Sequence, residues 1–211
     1  MSYYPIFLDL TGRRCIIIGG GATAERKIEG LLAAGAEITL VSPETSEGLR
    51  LFLAQRSIKH LPRKYENGDL AGYALAFVAT DDRATAAAVL SEARAAGVWL
   101  NCADVPSCCD FILPGVIRRG ALAVAISSGG ASPAATRAIR EELESYLTQE
   151  FAELVQTASE VRADLRQRSI HARAESWNEA LKGEFRLLLR QGKAAEAKQL
   201  LLTLLEDKPC E

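Results

Sequence analysis

The sequence lacks most of the features that mark export, membrane insertion or a resident metal. No window of about 18 residues is apolar and free of charge, so no membrane-spanning helix is expected. The start, MSYYPIFLDLTGRRC, has no basic segment followed by an apolar run, so no signal peptide is expected either. There are only two histidines, His60 and His171, far apart in the chain, which leaves little from which to build a histidine metal site. Neither sign of charge dominates: 25 Lys and Arg stand against 27 Asp and Glu, a net charge of −2, which argues against general nucleic-acid binding. Five cysteines is an odd number, and they are unevenly spread. With no export signal, the expectation is a cytoplasmic protein with reduced thiols and no membrane or nucleic-acid partner. There is no low-complexity tract and no repeat.

What is present is a regular alternation of short apolar runs and helical patterns. The 211 residues, 48% apolar and 25% charged, suffice for one domain with extra elements or for two small domains. Cys15–Ile18 is fully apolar and ends in three glycines, which suits a buried parallel strand. Residues 22–34 place Ala24, Ile28, Leu31 and Leu32 at helical spacing, and Gly35 follows as a helix stop. Residues 37–41 form a second strand, completing a βαβ unit. Further on, the pattern predicts a helix over 44–55, strands over 58–61, 74–80 and 98–102, and a helix over 83–96 stopped by Gly97. Strands alternating with helices predict an open, Rossmann-like parallel sheet with helices on both faces. The alternation then breaks. Residues 111–117 and 122–127 read as a hairpin turning at 118–120, and Ser132-Pro133 opens a helix with a capping serine and a first-turn proline. From about residue 149 only helical patterns remain: Phe151 to Leu165, then Trp177, Leu181, Phe185 and Leu188 on one helix, and, past Gly192, a last helix rich in leucine.

The glycine run is the most informative motif. Gly19-Gly20-Gly21-Ala22-Thr23-Ala24 fits G-x-G-x-x-G/A at a strand-to-helix turn. Gly19 allows the tight turn, Gly21 lets a pyrophosphate approach the backbone, and Ala22 and Thr23 present the helix N-terminus. At the end of the second strand, Ser42-Pro43-Glu44 holds the place where an acidic residue binds a ribose 2′-hydroxyl. Glu44 has two readings here, ribose contact or first residue of the next helix. The lack of an arginine at that strand end favours NAD over NADP. Thr80 and Asp81, at the end of the 74–80 strand, are placed to flank a cofactor; Asp81-Asp82 also reads as a solvated helix start.

The stretch LNCADVPSCCDFILPG, residues 100–115, carries three cysteines and two aspartates. The cysteine spacing is C-x5-C-C, without the C-x2-C pairs or nearby histidines of a zinc site, so partly buried thiols are expected and no metal ligand is assigned. Asp104 follows a strand end beside the expected cofactor crevice, where a carboxylate can take a proton; it could equally cap the turn before Pro106. Asn101 either orients this loop or contacts the nicotinamide. Asp110 reads as turn chemistry or an interface residue. SSGGASP, residues 127–133, combines Ser128, Gly129 and Gly130 with a helix N-terminus, an arrangement suited to anions. Arg118, Arg119, Arg137 and Arg140 could add positive charge, or could be ordinary solvated side chains.

YPIFLDLTGRRCIIIGGGATAERK, FVATDD and NCADVPSCCDFILPGVIRRGALAVAISSGGASP together resemble the precorrin-2 dehydrogenases, which occur alone or as the N-terminal module of siroheme synthase. The resemblance runs from about Tyr4 to Glu144. It implies NAD-dependent oxidation of precorrin-2 to sirohydrochlorin, with Fe2+ insertion to siroheme in some members. It implies a homodimer, with the middle segment supplying much of the interface. It makes Asp104 the residue tied to catalysis, and places Ser128 in the tetrapyrrole pocket. The expected organisation is therefore an NAD-binding domain over 1–112, a dimerisation segment over 113–148 and a helical domain over 149–211. The methyltransferase module of the longer synthases is not expected. Two other readings stay open: a non-enzymatic NAD(H) sensor or protein-interaction module, and a tetrapyrrole chelatase without dehydrogenase activity.

Overall fold

Alternate residues of a strand face opposite sides, so the fully apolar run Cys15–Ile18 is stable only where both faces are covered. In the computed structural model, which describes residues 3–103 and 105–206, that run lies in the centre of a sheet. The strands β1 (Arg14–Ile18), β2 (Glu37–Val41), β3 (Lys59–Leu61), β4 (Leu75–Val78) and β5 (Trp99–Cys102) pair in parallel in the order β3-β2-β1-β4-β5. Cys15 and Ile17 face one core with Phe77, Leu40, and Ala24, Ile28 and Leu31 of helix α1 (Ala22–Ala33) and Leu49 of α2 (Glu47–Gln55). Ile16 and Ile18 face the other, with Val78, Leu100, and Val89 and Ala93 of α3 (Arg83–Ala96). This is the expected Rossmann-like sheet, with helices on both faces.

The chain runs outward through β1, β2 and β3, then returns to place β4 on the other side of β1. Strand order therefore reverses between β1 and β4, and the crevice beyond their carboxyl ends is where ligands of such sheets bind. The return, residues 62–74, contains no helix. It is held as a loop by the paired Arg63 and Asp69, and by Glu92 of α3, which accepts hydrogen bonds from the Gly68 and Leu70 amides at 2.9 and 2.8 Å and from the Tyr65 hydroxyl.

Two helix expectations need correction, and the first hairpin strand, expected over 111–117, runs Gly115–Arg119. The helix expected over 44–55 starts at Glu47, because Ser46 takes the cap: its hydroxyl accepts from the Leu49 amide and its own amide donates to Gly20 O at 2.8 Å. The segment expected to be one helix from Trp177 to Leu188 is two, α6 (Ala174–Ala180) and α7 (Glu184–Arg190), broken at Gly183, whose φ of +56° ends helical continuity. The end of α1 follows expectation: Gly35 is left-handed at φ +75°, and the Ala36 and Gly35 amides bond back to Leu31 O and Leu32 O in a Schellman motif.

The chain divides into two compact units, Met1–Leu113 and Pro114–Glu211. The second begins with an antiparallel hairpin, β6 (Gly115–Arg119) and β7 (Leu122–Ile126), joined by a two-residue turn in which Gly120 is left-handed at φ +57°. Helix α4 (Pro133–Tyr146) is capped by Ser132, whose hydroxyl accepts from the Ala135 amide, and has no buried residue. Helices α5 (Gln149–Gln167), α6, α7 and α8 (Ala194–Glu206) enclose a core of Val161, Leu165, Phe185, Leu189, Leu201 and Leu205. Glu150 of α5 joins this bundle through ion pairs with Arg186 and Arg190 of α7, and Arg186 stacks over Phe151. Among the described residues, no helix is long and apolar enough to cross a membrane.

Candidate dinucleotide site

The three glycines of the first loop have three different physical reasons to be glycine. Gly19 has a φ of +118°, and a Cβ there would lie 2.2 Å from Ala79 O. Its amide donates to Val41 O, while the Ala79 amide donates to Ile18 O, so the loop is wedged between the ends of β2 and β4. At Gly20 a Cβ would meet Glu44 O at 2.0 Å and Ser42 Oγ at 2.6 Å. At Gly21 it would meet nothing within 4 Å. Gly21 is the N-cap of α1 but supplies no side-chain cap, so the leading N–H groups of the helix, those of Ala22 and Thr23, have no acceptor earlier in the helix. Open space over an uncapped helix N-terminus fits a pyrophosphate, which would take those N–H groups and the positive end of the helix dipole.

The end of β2 lies against this loop. Ser42 Oγ donates to Glu44 O at 2.5 Å, fixing the turn that carries the exposed Pro43 and Glu44. Because α2 starts only at Glu47, Glu44 is not its first residue; it is exposed in the loop, with its backbone carbonyl against Gly20. Of the two readings of Glu44, helix start is excluded. At the end of β4, Thr80 Oγ1 accepts from the Asp82 amide at 3.3 Å, and Asp82 caps α3. A hydrogen bond from Thr85, then bonds from the Ala84 and Thr85 amides, lower the Asp82 pKa and keep it ionised. Asp81 is exposed between them. The fold thus brings Gly19, Gly21, Ala22, Thr23, Pro43, Glu44, Thr80 and Asp81 to one end of the sheet. Gly20, Ser42 and Ser46 belong to the same construction and were not expected from the motif. Ser46 was readable as a capping serine before Glu47; the need at Gly20 arises from a contact distant in sequence.

Asn101, 7% exposed, is the penultimate residue of β5, with both ends of its amide engaged. Lys27 Nζ donates to its Oδ1 at 2.7 Å, and its Nδ2 donates to Phe111 O at 3.0 Å. Asn101 thus orients the loop that follows. Asp110 closes the same loop: the Leu100 amide donates to its Oδ2, and its own amide donates to Leu100 O, both at 2.8 Å. Cys109 acts as a surrogate backbone group, accepting from the Cys102 amide at 3.1 Å and donating to Cys102 O at 3.2 Å. Burial pushes the Cys109 thiol up, and pushes Cys15 up to about 11, away from the thiolate form that binds metal. Among the described residues, no group of three or more His, Cys, Asp or Glu is placed to hold a metal ion. His60 instead contacts Ser42 O through Nε2 at 3.0 Å. Asp104 lies outside the described residues.

In the second unit, Ser128 is the centre of a local network. Its Oγ accepts from the Ser132 amide at 3.1 Å and from Thr136 Oγ1 at 3.0 Å, and the Gly129 amide donates to Ser127 Oγ. Gly129 and Gly130 are exposed and left-handed, at φ +64° and +88°. The amides of Gly129, Ala131 and Ser132 therefore already have partners. Arg119 is taken up by α4: its Nε donates to Leu147 O at 2.7 Å and its guanidinium reaches Glu144 O. Arg140 pairs with Glu144. Of the four arginines, Arg118 and Arg137 stay exposed to solvent.

Comparison with known proteins agrees with this architecture. Residues 6–115, just over half of the chain, match a family described as "Putative NAD(P)-binding", and residues 119–146 match "Sirohaem biosynthesis protein central". The siroheme synthase of Methylococcus capsulatus is 40% identical over 205 residues, covering 96% of this chain and 43% of that protein. Those of Photobacterium profundum and Nitrosomonas europaea are 36% and 38% identical, each over 98% of this chain and 45% and 44% of the relative. The chain therefore spans less than half the length of these relatives. A solved structure, "SirC, precorrin-2 dehydrogenase", superposes with a TM-score of 0.75 at 29% identity, over 95% of this chain and 100% of that one. The chain belongs to the family described as putative NAD(P)-binding, and its following segment matches the sirohaem central family.

Proposed function

We propose that the protein oxidises precorrin-2 to sirohydrochlorin with NAD+. The observation that carries this reading is the uncapped N-terminus of α1 under the open Gly21, flanked by Glu44, in a chain whose next segment matches the sirohaem central family. When bound, the dinucleotide supplies the hydride acceptor. The chain does the rest. Ala22 and Thr23 hold the pyrophosphate, with Gly19 and Gly21 shaping its approach. Pro43 and Glu44 bind the ribose, where a carboxylate accepts from a 2′-hydroxyl and repels a 2′-phosphate. Thr80, Asp81 and Asn101 border the nicotinamide half. Asp104 takes the proton that leaves with the hydride, so that the substrate loses two electrons and the charge balances.

The substrate is a polycarboxylate, and Ser128, Gly129 and Gly130 with Arg118 and Arg137 are its proposed contacts. Fe2+ is proposed as a second substrate, inserted into sirohydrochlorin by the same chain; its ligands would be the macrocycle nitrogens. The second unit serves as two modules, 113–148 for dimerisation and 149–211 as a helical domain. A homodimer is supported by exposed Ile139 and Tyr146 on α4, which buries no residue, and by exposed Val116 on a two-stranded hairpin too small to stand alone. Cys15, Cys102, Cys108 and Cys109 form no disulfide, which suits the cytoplasm.

The test is turnover of precorrin-2 with NAD+, followed by NADH absorbance. No turnover with NAD+ or NADP+ would sink the reading. Asp104→Ala should cut the rate sharply while leaving dinucleotide binding intact. An NAD(H) sensor predicts dinucleotide binding without sirohydrochlorin binding, which a Soret titration separates. A chelatase without dehydrogenase activity predicts metal insertion into sirohydrochlorin without added NAD+, and no NADH from precorrin-2.

A further inference from the structure

Lys27 has no part in the dinucleotide motif, yet its ammonium turns inward, toward the sheet of the first unit. It projects from the second turn of α1, next to the buried Ile28, and is itself half-buried. Nζ is 2.7 Å from Asn101 Oδ1 and 5.1 Å from the centre of the Phe77 ring. Phe77 in turn packs edge-on against Phe111, with ring centres 5.6 Å apart. An ammonium only donates, and a backbone carbonyl only accepts. With Lys27 on one side and Phe111 O on the other, the Asn101 amide has a single satisfactory orientation; flipped, it would set NH2 against NH3+ and oxygen against oxygen. Asn101 and Phe111 are the two ends of one loop. The lysine thus acts on both ends through a single amide.

We propose that Lys27 is a positioning residue for the reaction: through Asn101 it ties α1, whose N-terminus holds the dinucleotide, to the two ends of the 101–111 loop. The inference rests on the dehydrogenase reading. Asp104 belongs to that loop by sequence, and α1 and β5 both present their functional ends at the same edge of the sheet. The remaining ties of the loop, Leu100 with Asp110 and Cys102 with Cys109, are between the loop's own residues and β5; the lysine alone among these contacts links them to α1. Lys27 is predicted to act on the chemical step and not on dinucleotide affinity, because Asn101 and Phe77, which it contacts, belong to β5 and β4 and not to the glycine loop.

The experiment uses Lys27→Met, which keeps the methylene stem and removes the ammonium. Three quantities are read on the full chain: NAD+ dissociation constant, kcat with precorrin-2, and hydrogen–deuterium exchange over residues 99–112 without ligands. The expected result is an NAD+ affinity within about twofold of the parent, kcat lower by roughly ten- to hundredfold, and faster exchange at the Leu100, Cys102 and Asp110 amides. Unchanged kcat or unchanged exchange would overturn the proposal. A loss of NAD+ affinity in step with kcat would overturn it too, since Lys27 would then be a cofactor contact. If the parent chain itself shows no turnover while the exchange still accelerates, the dehydrogenase reading has failed and the Lys27–Asn101 clasp has not.

Discussion

Replacing Gly21 by alanine separates the needs of the fold from those of the ligand. The residue has a φ of −91°, open to any amino acid, and a Cβ built there meets nothing within 4 Å. Alanine is a poor N-cap and costs the helix about 0.5–1 kcal/mol relative to a good one. It also lowers the entropy of the unfolded chain, which offsets about 0.4–1 kcal/mol. The two nearly cancel, so Gly21→Ala should melt within a few degrees of the parent. Binding is another matter. The new methyl stands over the Ala22 and Thr23 N–H groups, where the pyrophosphate would come closest. Charge-assisted hydrogen bonds are worth about 1.5–3 kcal/mol each. Losing one weakens binding at least about tenfold, and losing two more than about a hundredfold.

Gly20→Ala should behave in the opposite way. Its Cβ would lie 2.0 Å from Glu44 O and 2.6 Å from Ser42 Oγ, so the β2–α2 turn must move before any ligand arrives. Overpacking of this kind costs about 1–3 kcal/mol, and the melting temperature should fall by several degrees. Thermal melts of both apo variants, beside calorimetric titration with NADH, make the comparison. If Gly21→Ala binds NADH like the parent, the pyrophosphate does not lie over that helix end. If it melts as early as Gly20→Ala, the open space above Gly21 is not there in solution.

Glu92→Ala leaves the fully buried Leu70 without the acceptor of its amide, and should destabilise the first unit by about 1–3 kcal/mol, read as an earlier melt. Burial pushes the Glu150 carboxyl up, but hydrogen bonds and charge from Arg186 and Arg190 outweigh it and hold the group below its ordinary 4.5. A lowered folded-state pKa gives stability that is present above 4.5 and is lost as pH falls through the folded value, so the helical bundle should melt earlier below about pH 4, and Glu150→Gln should flatten that dependence. Ile139→Glu, at an exposed position of α4, should shift the chain from dimer to monomer in analytical ultracentrifugation without changing its melt; a parent that sediments as a monomer removes the dimer reading.

The sheet was readable because its signals are local. A four-residue apolar run before glycines, Ala24, Ile28 and Leu31 at helical spacing, and Gly35 and Gly97 as stops all act over a few residues, and β1, α1 and α3 fall where these signals put them. Errors arose where two local signals competed. Trp177, Leu181, Phe185 and Leu188 keep helical spacing, and that period concealed Gly183, whose left-handed backbone divides the helix. At residues 44–47 an acidic helix start and a capping serine were both written in the sequence, and the tertiary bond from Ser46 to Gly20 O decided for the serine. Gly20 itself was unreadable, since the motif treats its place as variable and the carbonyl that excludes a side chain belongs to Glu44.

The same distinction explains the loop of residues 100–111, whose cysteines first suggest a metal and whose structure uses one of them as backbone. A β-strand that ends in a loop leaves amides and carbonyls without a neighbouring strand. Here Asp110 satisfies both groups of Leu100, the Cys109 thiol satisfies both groups of Cys102, and Asn101 reaches Phe111 O. Aspartate, cysteine and asparagine are needed for their hydrogen-bonding capacity at a strand end, a requirement that spacing rules for metal ligands do not test. The polar side chains that draw attention in this stretch are thus largely the means by which β5 is finished. What they hold is a loop of fixed ends at the carboxyl edge of the sheet, on the same edge as the Gly19–Gly21 turn, and it is the β1–β4 reversal that opens a crevice at this shared edge.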